Sequence, residues 1–365
     1  MHIQYNTLPY SKLCLVYDRC SPMKEDPKVH GSSHLLEHLL CHHYAHLRND
    51  LQSGDIDEEA HTSNENMVIQ FSGLTKNLEP LAEALGKSII HGKPIDKDSF
   101  EKEKQTVCQE IGMKFAQPIP AAVHHMLQDA FGFYGSIGEI NGVNNFTYED
   151  YLRNCEEVFT KPWVLSIGPN AILENSSHEE LYPNKYPLIE KICEDKEFVK
   201  ENSKDQKVIF VTTNTPCRDA DEALLLKSAI AVLSEGLQSP FMQELREKRG
   251  LVYVTGGTFL EMGGRLPIFL SMSDKPKEVL QLMQDLLLNV RNNVTEERIA
   301  IIRKQITAQE EQKELFRYRT SRRVTNEHAG YTVASKRFDI INKEGICNVI
   351  EKYFGEGNKY FTYVE

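Results

Sequence analysis

The chain has 365 residues and a formal net charge of −11, with 40% of its residues hydrophobic and 26% charged. Length alone predicts roughly two or three domains with sizeable cores, and the acidic balance argues against unspecific binding to nucleic acid. No apolar run reaches the length of about 18 residues that marks a membrane-spanning helix, so no membrane partner is expected.

In chain order, a strand is predicted over 12–18 and a helix over about 32–46. That helix carries His34-Leu35-Leu36-Glu37-His38. Histidines four apart lie on one helix face, about one turn from each other, so both imidazoles can reach one metal ion. Glu37 falls on the same side, where a carboxylate can act on water without itself being a ligand. The order inverts the H-E-x-x-H zinc-protease signature. Chance coincidence competes with that reading in a chain of 13 histidines, and structural context has to decide. His42, His43 and His46 continue the helix. They read as solvated or partner-facing imidazoles, with a larger metal cluster as the alternative.

A strand is expected next over 61–72, then an amphipathic helix with Leu78, Leu81, Leu85 and Ile89. The following helix, 98–115, places Phe100, Val107, Ile111 and Phe115 on its apolar side, with Asp98 and Glu101 as a capping box variant. Glu103 and Glu110 stand seven apart on it and share a face. They fit either a solvated charged helix or the missing third ligand of a hydrolytic zinc site, which uses three protein ligands and leaves one position for water. His124 and His125 lie in a further predicted helix after Pro120, where a surface position is an equal reading to a functional one.

In the second half, 208–213 reads as a strand and 221–235 as a helix; 252–260 and 266–272 read as paired strands, and 277–290 and 295–315 as helices. The last two helices mirror 78–86 and 98–115, which suggests an internal duplication. The join falls in 175–206, where Pro183, Pro187 and a charge-rich run interrupt the pattern. The expected division is 1–180, a linker over 181–206, and 207–365. Both halves read as α+β. The N-terminus lacks the basic start and apolar stretch of a secretory signal. Eight cysteines (Cys14, Cys20, Cys41, Cys108, Cys155, Cys193, Cys217 and Cys347) show no paired spacing. Neither a disulfide framework nor a Cys-type zinc site is expected, and a cytoplasmic setting follows, in a host cell if the source is viral.

On the strength of the inverted motif and the glutamate helix, the chain resembles the pitrilysin/insulysin-type zinc metallopeptidases, the inverzincins. The resemblance implies Zn2+ held by His34, His38 and Glu110, with Glu37 as general base and Glu103 as supporting carboxylate. Glu110 follows His38 at slightly less than the family's usual spacing, which a shorter loop around 48–57 accounts for. Residues 54–73 look like the family's strand beside the active site. That strand usually carries Asn-Ala-x-Thr, but here it reads Glu59-Ala60-His61-Thr62, a departure that bears on substrate contacts. Residues 245–253 match a second family signature, in which Arg246 would hold substrate carbonyls and Tyr253 the oxyanion; a surface salt bridge is the other reading of Arg246.

The resemblance spans most of 10–360. It implies two homologous sandwich-like repeats, each an antiparallel-rich sheet with helices on one face, together forming half of a clamshell. Full-length members close a chamber from four such repeats, so a partner of similar size is expected: a homodimer, since one chain carries both motifs, or a heterodimer with a paralogous subunit. The implied function is a zinc-dependent endopeptidase for unfolded peptides or short precursor segments. The alternative is a non-catalytic or weakly active assembly subunit that kept the fold.

Overall fold

The first unit, Met1–Asn184, runs β1 (His2–Gln4), β2 (Tyr10–Tyr17), α1 (Ser32–Asp50), β3 (Asp57–Thr62), β4 (Met67–Leu74), α2 (Thr75–His91), α3 (Lys97–Phe115), α4 (Pro118–Phe131), α5 (Ile140–Asn145), α6 (Tyr148–Phe159) and β5 (Trp163–Gly168). This computed structural model describes residues 2–4, 9–17, 20–50, 55–91, 94–132, 135–159, 162–169, 172, 197–199, 207–213, 216–262, 264–315, 335–355 and 360–364. The join expected over 175–206 lies outside the described residues except for 197–199.

Five strands form one sheet in the order β1-β5-β2-β4-β3, antiparallel except where β1 meets β5. Successive side chains of a strand point to opposite faces. Leu13, Leu15 and Tyr17 of β2 therefore share one core with Met67, Ile69 and Phe71 of β4, and α1 adds Leu35, Leu36, Leu39 and Leu40 at helical spacing. From α3 come Phe100, Val107 and Ile111, and α1 packs against α3. The apolar residues of α3 leave Glu103 and Glu110 along the edge of that seam, Glu103 the more buried of the two.

The second unit, Lys185–Glu365, comprises β6 (Glu197–Val199), β7 (Lys207–Thr213), α7 (Ala220–Ser234), a π-helical stretch Met242–Glu247, β8 (Val254–Glu261), β9 (Arg265–Ser273), α8 (Pro276–Leu288), α9 (Val290–Asn293), α10 (Glu296–Leu315), α11 (Lys343–Phe354) and β10 (Tyr360–Val364). Its sheet order is β6-β10-β7-β9-β8, and the β6–β10 pair alone is parallel. That order repeats the first sheet strand for strand. Each unit is thus an antiparallel-rich sheet with helices, as expected from the recurrence of elements.

Three local expectations need correction. The strand expected over 61–72 is a hairpin. Ser63-Asn64-Glu65-Asn66 turns the chain, with the Ser63 amide donating to Asn66 O at 2.8 Å, because such polar residues bond their own backbone in turns. Helix α3 is capped by Asp96, whose carboxylate accepts from the Ser99 amide at 2.9 Å, so the capping carboxylate sits two residues before the expected Asp98. His124 is buried, with Nε2 at 3.4 Å from Glu139 Oε1 and its ring against Phe115.

Helix α1 starts from a tight fixture. Gly31 has φ +104°, and a Cβ there would meet Val143 Cγ2 at 2.7 Å, so only glycine fits. Glu25 then accepts from the Gly31 amide at 2.7 Å, from Ser32 Oγ at 3.2 Å and from the Ser33 amide, while His30 Nδ1 lies 2.8 Å away. A carboxylate at this end also complements the helix dipole. Burial alone would raise the Glu25 pKa, but the hydrogen bond and charge of His30, with the Ser33 and Gly31 amides, outweigh it and hold the carboxyl below its ordinary 4.5.

A depressed carboxyl pKa contributes stability that is fully present above about 4.5 and lost as pH falls through the folded-state value. We expect Glu25→Gln to cost about 1–3 kcal/mol at neutral pH by leaving buried donors poorly matched. Urea unfolding compared across pH should show the gap to wild type narrowing below the ordinary carboxyl range. A gap that stays constant down to acid pH would contradict the role given to the ionised carboxylate.

Candidate metal centre

Along the seam between α1 and α3, one carboxylate meets each successive pair of histidines. Glu110 Oε2 lies 3.6 Å from His34 Nε2 and 3.3 Å from His38 Nε2. Glu103 lies 3.4 Å from His38 Nδ1 and 3.3 Å from His42 Nδ1. The higher-numbered glutamate meets the lower-numbered histidines, so the two helices run antiparallel here. Seven residues of α3 and eight of α1 rise about 10–12 Å, which is why both contacts are made together.

His34, His38 and Glu110 each offer a ligand atom, all within 4.8 Å of one another, and form the one such cluster of three among the described residues. Two ligands held about 2.05 Å from a tetrahedral zinc ion stand about 3.3 Å apart, close to the observed separations. The tautomers agree with that use. His34 Nδ1 lies 3.0 Å from the carbonyl of Ile137, which can only accept, so Nδ1 carries a proton and, in the neutral ring, Nε2 keeps its lone pair. His38 Nδ1 likewise donates to the Glu103 carboxylate. Two lone pairs and a carboxylate oxygen then face one point. Such acceptors repel one another unless a cation lies between them, so the donor set fits zinc.

Glu37 immediately precedes His38 on the helix and accepts from Thr62 Oγ1 at 2.5 Å. That contact ties α1 to the end of strand β3. Glu59 sits opposite Gln70 in the β3–β4 register and accepts from the Gln70 side-chain amide. Thiolate ligands do not enter the cluster. Cys108 turns its Sγ toward Asn144 Oδ1 at 3.7 Å, and burial pushes its thiol pKa up, which keeps the proton on.

Arg246 and Tyr253 belong to the second unit. Arg246 lies in the π-helical stretch, a distortion that occurs frequently at functional sites. Its guanidinium stands 5.7 Å from the centre of the Tyr253 ring, and Tyr253 is 74% exposed. Arg246 Nε also lies 3.6 Å from Glu247 Oε1.

Three contacts were not anticipated from the sequence: Thr62 at Glu37, the Ile137 carbonyl at His34, and the sharing of Glu103 by His42. The Thr of the Glu-Ala-His-Thr run was a usable signal for the first. A backbone carbonyl about a hundred positions away leaves no trace in side-chain identity.

Residues 8–136 match the family model described as insulinase, peptidase family M16, and residues 166–306 match the model described as the peptidase M16 inactive domain. A comparison with curated protein sequences finds no match. Solved structures share the fold across the chain. A protease from Helicobacter pylori superposes with a TM-score of 0.74 at 16% identity, covering 100% of this chain and 95% of that one. A peptidase M16 inactive domain from Pseudomonas fluorescens gives 0.71 at 15% identity, with 100% and 94% covered. The periplasmic protease PqqL from Escherichia coli gives 0.70 at 11%, covering 99% of this chain and 43% of that longer one. The two model matches together take up well over half of the sequence, and the chain belongs to peptidase family M16.

Proposed function

We propose that the protein is a zinc-dependent endopeptidase that cuts unfolded peptides or short precursor segments. The observation that carries this reading is the meeting of His34 Nε2, His38 Nε2 and Glu110 Oε2 on a helix pair that also carries Glu37. The inactive-domain description bears on residues 166–306, whereas the three ligands and Glu37 lie outside that stretch. An assembly role without hydrolysis is therefore the weaker alternative.

His34, His38 and Glu110 would hold the zinc ion, which when bound would supply Lewis acidity toward water and a peptide carbonyl, with a water pKa of about 7. Within the chain, Ile137 O and Glu103 keep His34 and His38 in the tautomers that leave Nε2 free. Glu37, steadied by the Thr62 hydroxyl, takes a proton from the attacking water and passes it to the leaving amine. Strand β3 is the last in its sheet among the described residues, so its outer rim is open to pairing. An extended peptide adding there would be held through its backbone, which suits unfolded substrates of varied sequence. Tyr253 is assigned to donate to the developing oxyanion and Arg246 to hold peptide carbonyls. A second copy of the chain is the proposed partner for enclosing substrate, with a paralogous subunit as the other arrangement.

His34→Ala, His38→Ala and Glu110→Gln should each abolish stoichiometric zinc, because each removes one of three protein ligands. Glu37→Gln should keep zinc and lose hydrolysis of a reduced, unfolded protein whose native form resists cleavage. Wild-type turnover in Glu37→Gln would remove the general-base assignment. Full zinc with no hydrolysis of any unfolded substrate by the wild type would favour the assembly role.

Tyr253→Phe should leave zinc content unchanged and lower turnover by about 10²–10³, the usual effect of losing one oxyanion donor. Cysteines introduced at positions 37 and 253 then report the arrangement. A crosslinked dimer on a denaturing gel means contact between copies, and a crosslinked monomer means contact within one. Absence of any crosslink counts against Tyr253 at the metal centre.

A further inference from the structure

The histidine ladder of α1 does not end at the first centre. His42 Nε2 and His46 Nε2 share an N–H···N hydrogen bond at 3.3 Å, which is also about the spacing that two nitrogen ligands adopt around a tetrahedral ion. Their rings repeat the upstream pair closely. The centroids of His42 and His46 are 5.1 Å apart at an interplanar angle of 67°, against 5.2 Å and 70° for His34 and His38. His42 Nδ1 donates to Glu103 Oε1 at 3.3 Å, which leaves its Nε2 to accept from His46 Nε2–H, a proton that a bound ion would displace.

We propose that His42 and His46 form a second binding site for a divalent transition-metal ion. Imidazole donors select zinc, nickel and copper over magnesium and calcium. Among the described residues no third side chain joins this pair in a cluster, so water completes the coordination and the site fills after the first. His42 is half-buried and His46 exposed, an arrangement that admits an ion reversibly from solvent. Glu103 links the two sites, because one oxygen meets His42 and the other meets His38. The binding itself stands on the His42–His46 geometry alone; only the link to the first centre rests on the function proposed above.

Equilibrium dialysis of the full chain against zinc, followed by metal analysis, tests the site. Wild type should take up two equivalents in distinguishable steps, and His46→Gln only the tighter one. His46 is exposed on α1, so an unchanged unfolding midpoint should confirm that the variant is folded. The reverse arm separates this inference from the first centre. His34→Ala should still bind one weak equivalent of nickel, and His34→Ala combined with His46→Gln should bind none. Retention of the weak equivalent after His46→Gln, or loss of all binding in His34→Ala, would overturn the proposal whatever becomes of the first centre.

Discussion

Two imidazole lone pairs and a carboxylate oxygen repel one another at close range, yet His34, His38 and Glu110 are brought within a single coordination sphere. Packing supplies the force that holds them. Phe100, Val107 and Ile111 on α3 and Leu35, Leu36, Leu39 and Leu40 on α1 are buried in one core, and each fully buried side chain of this kind contributes about 1.5–3 kcal/mol. With that seam closed, the polar edges of the two helices face each other along its rim. Helix α1 is held at its start by Gly31, which no larger residue can replace, and by Glu25, which collects the amides of its first turn. The position of the candidate metal centre therefore depends on a hydrophobic contact and a helix cap.

The same geometry explains why one acid is placed at the ligand position and the other beside it. Glu110 faces two Nε2 atoms, while Glu103 faces two Nδ1 atoms. A two-turn offset along α3 is enough to convert one residue type from a candidate ligand into a group that fixes tautomers. The exposures follow suit, with the Glu110 side chain 42% exposed and Glu103 17%. Glu103 serves His42 as well as His38, which makes it the hinge between the two histidine pairs.

Much of this was legible in the sequence because it is periodic. Histidines four apart and glutamates seven apart are statements about helix faces, and the apolar residues between them reported which face was buried. The repeated element order likewise anticipated two sheets with the same strand sequence. What escaped was local or long-range and aperiodic. The hairpin at 63–66 reads as continuous strand unless its four polar residues are weighed as a turn. Asp96 captured the cap because the helix begins one residue before the expected Asp98. Thr62 and the Ile137 carbonyl reach the site through folding alone, and the π-helical setting of Arg246 has no compositional signature.

A cation held by two histidine Nε2 atoms and one carboxylate would have a spectroscopic signature of its own. X-ray absorption at the zinc edge, on protein loaded with a single equivalent, reads that donor set directly. The expected spectrum has nitrogen and oxygen donors at about 2.0–2.2 Å with the outer-shell scattering of two imidazoles. A sulfur donor at about 2.3 Å, as Cys41 or Cys108 would give, or an ion surrounded by water alone, would contradict it.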